Sequence, residues 1–348
     1  EGVRRMTTTA GIPATMKAQA IMDFGGPEVF QMVEIPTPEI EENQVLVKIA
    51  ATSVNPIDIK CRSAPRPITN DLPTILGCDV AGTIAAVGSR VKKFAVGDRV
   101  FGCAGGVRGM GGALAEYIAT DPRLLARAPR KLPLHEAAAL PLVTITAWEG
   151  LFQRACVQPG DKVLVHGGTG GVGHVAVQLA KAKGCKVSTT VSSREKASIV
   201  ERYGVTPINY REEPVESFVA RLTDGRGFDV VFDATGGSDL RASTEAARVS
   251  GQIVTIVSQY EADLSPMHFK GLSLHVVFML IPMLHGLITQ RERQGTIMKE
   301  AARMADASEL TPLIDDMVFG LDSVAAAHAR TEGNEKLGKV VVRITDDE

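Results

Sequence analysis

The 348-residue chain has a single Trp and few aromatics of any kind, which leaves little for the base-stacking platforms of single-strand nucleic-acid binders. It also lacks a charge excess. Lys and Arg number 38 against 40 Asp and Glu, so there is no broad basic field for a nucleic acid or an anionic membrane. Five cysteines, Cys61, Cys78, Cys103, Cys156 and Cys185, form no close pair and are odd in number. That argues against a disulfide scaffold and for reduced thiols, so a cytoplasmic location is expected. No long hydrophobic run is present: the most apolar stretch, residues 272–288, is broken by His275, Pro282, His285 and Gly286, too short and polar to span a bilayer. The first fifteen residues carry no apolar signal core. They are expected to be a disordered extension or an expression remnant, with Met6 the native start.

What is abundant is glycine, and its placement is informative. From Lys17 to about Leu140 the chain shows short β-rich runs with Gly and Pro between them, at 17–22, 45–49, 80–87, 98–102 and 113–118, the pattern of an all-β unit. From Gly160 onward strand and helix patterns alternate. Strands are expected at 162–165, 186–191, 207–209, 228–233 and 252–257, with helices at 172–183, 195–203, 214–222 and 239–249. Such alternation signals a doubly wound parallel sheet. A final strand at 339–344 has no place in that order and is expected to return to the first unit. The expected division is 1–15 as an extension, 16–140 with 296–348 as a β-rich domain, and 141–295 as the parallel-sheet domain.

The sharpest motif is His166-Gly-Gly-Thr-Gly-Gly-Val-Gly-His174, containing Gly168-x-Gly170-x-x-Gly173 between a strand and a helix. One glycine makes the turn, one lets backbone approach a pyrophosphate, and one permits close helix–strand packing. The phosphates then meet the positive end of the helix. An NAD site places an acid at the end of the second strand, about 20 residues on. Here stand Ser192, Ser193, Arg194, Glu195 and Lys196 instead, which favours a 2′-phosphate and hence NADPH. Ser192 or Ser193 can equally cap the helix.

These residues, with Gly160-Asp161 before the turn and Gln178 and Lys181 after it, resemble the quinone oxidoreductase (zeta-crystallin-like) branch of the medium-chain dehydrogenases/reductases. So do Val54-Asn55-Pro56-Ile57-Asp58-Ile59-Lys60, Gly77-Cys78-Asp79 with Gly82 and Gly88, Gly97-Asp98-Arg99-Val100 and Gly338-Lys339-Val340-Val341. The likeness runs from Met16 to Ile344 and departs at Thr169, where that branch usually has a smaller residue. It implies an α/β protein with a GroES-like catalytic domain and an inserted Rossmann domain, the cofactor lying between them. Zinc-dependent members have Cys where this chain has Asn55 and Gly-His-Glu where it has Gly77-Cys78-Asp79. The four-cysteine lobe of a structural zinc is missing, so no metal is expected.

By resemblance, Asn55 orients the nicotinamide ribose or the substrate, and Lys60 and Arg62 are candidate anion stabilisers or proton sources. Solvated charge is the alternative reading for both, and the Tyr that many relatives carry near Lys60 is replaced. Cofactor contacts carried over are Thr146, Thr169, Gly170, Gly171, Val172, Ser192, Ser193, Lys196, Tyr210, Thr235, Val257, Ser258, Phe278, Leu280 and Lys339. His174 is expected to be neutral, disfavoured as a cation by the helix dipole. Residues 105–112 read as a mobile loop over the cleft. The expected reaction is NADPH-dependent, zinc-independent hydride transfer to a quinone or α,β-unsaturated carbonyl. Alternatives are a carbonyl reductase or alcohol dehydrogenase, or a non-catalytic NADPH-binding sensor or structural protein. The apolar segment 274–280 is expected to form an exposed sheet edge covered by a second copy in a homodimer.

Overall fold

The computed structural model describes residues 11–236, 239–257, 259, 263–333 and 336–345. Two large sheets dominate. The parallel one has six strands in the spatial order Thr206–Asn209, Lys186–Val191, Lys162–His166, Phe228–Asp233, Ala247–Thr255 and Ser273–Val276. The order reverses on either side of Lys162–His166, so the crevice at the carboxyl end of that strand is the ligand position of an open α/β sheet. The middles of its central strands are apolar: Val163, Leu164, Val165, Val231, Phe232, Ile253 and Val254 are all buried. Each such side chain contributes about 1.5–3 kcal/mol by leaving water, as expected for strands covered on both faces.

The second sheet, with seven strands, is built on the long strand Val45–Val54, which pairs antiparallel with Asp79–Val87 and with Tyr117–Thr120. Its other neighbour is the chain's last described strand, Val340–Arg343, with Val340 opposite Val54 and Arg343 opposite Ala51. The C-terminal segment therefore completes the N-terminal sheet. A small sheet of Phe30–Pro36, Thr15–Ile21 and Thr74–Ile75 flanks it. This is the α/β class with a GroES-like β-rich unit and a Rossmann sheet. Between the large sheets runs the helix Pro141–Trp148, capped at Leu140 and buried along most of its length.

Several expectations are corrected in detail. The fifth strand begins at Ala247, not 252, and the preceding helix stops at Ala246. The strand is bulged: Ala247 pairs with Phe228, Ser250 adopts φ 56°, and pairing resumes at Gln252 opposite Val230. The edge strand spans only Ser273–Val276, after which Phe278–Leu280 turns into the short helix Ile281–Leu284, which opens with a Pro. The 295/296 division falls inside the helix Ile288–Asp306, at Gly295, whose missing side chain lets the helix lie directly on the Arg123 carbonyl. Residues 105–112 are not a free loop. Asn70 donates to the carbonyls of Val107 and Met110 and accepts from the Gly109 amide, at 2.7–3.2 Å. Among the described residues no helix is long and apolar enough to cross a membrane.

Candidate active site

The glycine turn follows strand Lys162–His166 and opens the helix Gly173–Ala182. A Cβ on Gly173 would collide with the Gly167 carbonyl, and one on Gly168 with the Thr189 hydroxyl, so both glycines serve close packing. The left-handed residue of the turn is Gly167, at φ 77°. Gly170 and Gly171 are less crowded: the nearest atoms to a Cβ would be the Gly167 carbonyl oxygen at 3.2 Å and Lys339 Cδ at 3.4 Å. His174 donates from Nδ1 to the Gly170 carbonyl (2.9 Å). Burial, more than any dipole, drives its pKa down to about 4, so it is neutral at pH 7.

Ser192, Ser193, Lys196 and Tyr210 gather at the carboxyl ends of the next two strands. Ser193 is the helix cap, its Oγ accepting from the Lys196 amide at 3.3 Å. The Tyr210 amide donates to the Val191 carbonyl (3.3 Å) and its ring is half exposed. On the other side of the turn, Thr235 lies against Gly167, and the buried Asp233 accepts from the amides of Thr235 and Gly236. Val257 packs beside Gly236, its amide donating to Thr255 Oγ1 at 3.2 Å. Ser258 lies outside the described residues. Phe278 is exposed and Leu280 buried; between them the Met279 carbonyl is fixed by Gln294 Nε2 at 2.6 Å.

Facing the turn is a buried polar cluster. Asp79 is fully enclosed, and its Oδ2 accepts from Ser53 Oγ (2.5 Å) and Asn55 Nδ2 (2.8 Å). Its Oδ1 accepts from the Leu142 amide (2.8 Å), in the first turn of helix Pro141–Trp148, on which Thr146 stands with its hydroxyl donating to the Leu142 carbonyl. Lys339 Nζ donates to the Val54 carbonyl (3.2 Å) and to Asn55 Oδ1, and stands 3.6 Å from Asp79 Oδ2. Asn55 is thus fixed in orientation: both its oxygen and its nitrogen are held from below, and it is 1% exposed. Asp58 accepts from the Asn55 amide (2.8 Å) and from the Cys78 thiol (3.5 Å). Burial raises its pKa to about 6, so it is ionised at pH 7. Among the described residues, no group of three or more His, Cys, Asp or Glu side chains could hold a metal.

The charges of the following helix, Pro56–Ser63, divide. Lys60 is half exposed in its last turns, outside the cluster. Arg62 is corrected from a solvated charge to a buried one: it donates to Glu332 (2.6 Å), the Gly25 carbonyl (3.1 Å) and His328 Nδ1 (3.3 Å). It clamps the helix Val324–Glu332 in place and is not available to a substrate. A groove of about 740 Å³, lined by Gln178, Lys181, Tyr203 and Thr311, lies on the far side of helix Gly173–Ala182 and not at this cleft.

The chain matches the alcohol dehydrogenase GroES-like domain over residues 41–130 and the zinc-binding dehydrogenase domain over 171–286. It is 33% identical to an NADPH-dependent alkenal/one oxidoreductase, chloroplastic, of Arabidopsis thaliana, over 97% of this chain and 82% of that one. The chain belongs to the quinone oxidoreductase branch of the medium-chain dehydrogenases/reductases. It is an oxidoreductase. Among solved structures, an alcohol dehydrogenase superfamily protein from Novosphingobium aromaticivorans matches with TM-score 0.89 and 37% identity, over 95% of this chain and all of that one. A quinone oxidoreductase from Escherichia coli complexed with NADPH matches with TM-score 0.81 and 28% identity, over 94% and 99%.

A dinucleotide fits the residues of this family member. Gly170 and Gly171 leave a less crowded cradle at a helix N-terminus, bounded on one side by Ser192, Ser193, Lys196 and Tyr210 and on the other by Thr235 and Val257. The reading from sequence missed Ser53 and, though it quoted Asp58 and Asp79 in its motifs, did not place them in the site. Two signals were present. Asn55-Pro56-Ile57-Asp58 has the cap, first-turn Pro and third-position acid of a helix start. Asp79, between Cys78 and Val80 at the start of a buried strand, required a partner.

Proposed function

We propose that this protein is an NADPH-dependent reductase that delivers hydride to an electrophilic acceptor, a quinone or an alkene conjugated to a carbonyl, without a metal. The observation that carries the reading is the cluster under the cleft, where Lys339 and the Asn55 amide, not a ligand set, stand against Asp79. A carbonyl of ordinary reactivity needs a Lewis acid or a strong donor on its oxygen. An enone or quinone is already electrophilic, so position and exclusion of water suffice.

NADPH, when bound, supplies the hydride. The amides of Thr169, Gly171 and Val172 would hold its pyrophosphate, the Gly170 amide being taken by the Gly167 carbonyl, and Ser192, Ser193, Lys196 and Tyr210 would receive the 2′-phosphate. Phe278 to Leu280 offers backbone groups to the carboxamide, its carbonyl at Met279 braced by Gln294. Thr146 and Asn55 set the floor beneath the nicotinamide. Lys60 is the side chain we assign to charge developing on the acceptor's oxygen. We further read residues 16–140 with the C-terminal strand as the catalytic domain and the six-stranded sheet as the cofactor domain. The protein works in the cytoplasm as a homodimer. Leu274 and Val276 expose 37% and 51% of their surface on the edge strand and Phe278, just beyond it, 42%, and a second copy covers them.

The test is the initial rate of NADPH absorbance loss after chelation, with quinones compared to enones and NADPH to NADH. Fast turnover that survives chelation and prefers NADPH is expected. Activity that appears only when zinc is restored would refute the metal-free reading. Binding of NADPH without turnover of either acceptor class would favour a sensor.

A further inference from the structure

Lys339 has a place no other side chain shares. Its neighbour Gly338 donates to the Thr169 carbonyl of the glycine turn (2.9 Å). Gly338 adopts φ 57°, and a side chain there would collide with the Leu313 carbonyl. The Lys339 stem then runs beneath the turn, since a Cβ on Gly171 would lie 3.4 Å from its Cδ. Its Nζ ends on the Val54 carbonyl and Asn55 Oδ1 and faces Asp79. Asp79 in turn holds the Leu142 amide at the start of the helix that bears Thr146. The side chain is 3% exposed. One residue therefore touches the phosphate turn above and the floor below.

We propose that Lys339 is a positioning residue, not a phosphate ligand: through it, occupancy of the glycine turn orders the Asn55–Asp79 floor on which the reacting ring rests. The ammonium sets a fixed cation 3.6 Å from Asp79 Oδ2. It holds the Asn55 amide in one orientation. This rests on the reading of the cleft as an NADPH site.

A simple structural counter-ion to Asp79 would show the same contacts, so the experiment must separate the two. Lys339→Met leaves Asp79 buried and unpaired, whereas Lys339→Met with Asp79→Asn removes both charges. Three quantities are measured for wild type and both variants: the NADPH dissociation constant by fluorescence, steady-state kcat, and hydrogen exchange of amides 54–58 with and without NADPH. In wild type, NADPH slows that exchange by about tenfold. In Lys339→Met the protection is lost and kcat falls by about 100-fold, while the dissociation constant moves by less than about threefold. The double variant regains thermal stability but neither protection nor kcat. The proposal is overturned if the double variant recovers both, which makes Lys339 a counter-ion only. It is equally overturned if Lys339→Met loses NADPH affinity with protection at saturation intact, which makes it a phosphate ligand. Should the wild type reduce neither quinones nor enones, the functional reading fails while the exchange pattern still decides the role of Lys339.

Discussion

Replacing Gly170 by alanine separates cofactor binding from folding in a way that replacing Gly173 does not. At Gly170 a Cβ has only the Gly167 carbonyl near it, at 3.2 Å, and the residue is not left-handed, so the free protein takes the change with a backbone shift of a few tenths of an ångström. That Cβ nevertheless stands where a pyrophosphate must approach the turn. Losing one or two charge-assisted amide–phosphate hydrogen bonds costs about 2–4 kcal/mol, roughly 30- to 1,000-fold in dissociation constant. At Gly173 the Cβ collides with the Gly167 carbonyl, so backbone must move; the strain costs about 1–3 kcal/mol of stability. The assay pairs thermal melts without cofactor with NADPH fluorescence titrations. Gly170→Ala is expected to melt like wild type and to bind NADPH weakly, and Gly173→Ala to melt lower. A Gly170→Ala protein that binds NADPH as tightly as wild type would remove the phosphates from this turn. One as unstable as Gly173→Ala would refute the steric argument itself.

Other consequences are equally direct. Burial holds His328 and His174 at pKa values of about 3 and about 4, below their ordinary value, and the Arg62 guanidinium adds to the depression at His328. Each therefore lends stability that is complete above about pH 6.5 and lost as acid is added, while Asp58, raised to about 6, works in the opposite sense. For these three groups the balance is a net loss of about 2 kcal/mol between pH 7 and pH 5. Urea melts read it, and a midpoint that is flat or rises on acidification would contradict it. Lys196→Ala should weaken NADPH about tenfold and leave NADH unchanged; an equal loss for both cofactors would move the 2′-phosphate elsewhere. Val276→Lys, which charges the exposed edge, should convert the proposed dimer to a monomer by size-exclusion and light scattering. A wild-type protein that already runs as a clean monomer would sink the proposed pairing.

The glycine turn could be read in sequence because its chemistry constrains residues close together in the chain. Gly168 and Gly173 admit no side chain, and the strand before and helix after them are both periodic. Of the floor of the cleft the resemblance supplied Asn55 and Lys339 singly, but not the network that joins them to Ser53, Asp79 and Leu142, which only pairing of the sheet brings together. Arg62 shows the same limit. On a short helix it looks like a solvated charge, yet its partners His328 and Glu332 come from a helix near the far end of the chain. The bulge at Ser250 was hidden for a local reason: nothing in Val249-Ser250-Gly251 distinguishes a strand kink from a helix end. What sequence reveals here is what neighbours in the chain must do together.

The closing of the N-terminal sheet by Val340–Arg343 has a consequence for the protein's assembly. During synthesis the residues of the long strand Val45–Val54 leave the ribosome early, and Tyr117–Thr120 can pair with its first residues, but on that flank Ala51–Val54 stay unpaired until residue 343 has emerged. The same late segment delivers Gly338 and Lys339, so Asp79 has no cation to face and the glycine turn no brace until then. The parallel sheet, continuous in sequence, can form in the interval. A chain stopped before Gly338 therefore has the glycine turn and the Asn55–Asp79 pair but not the lysine that joins them.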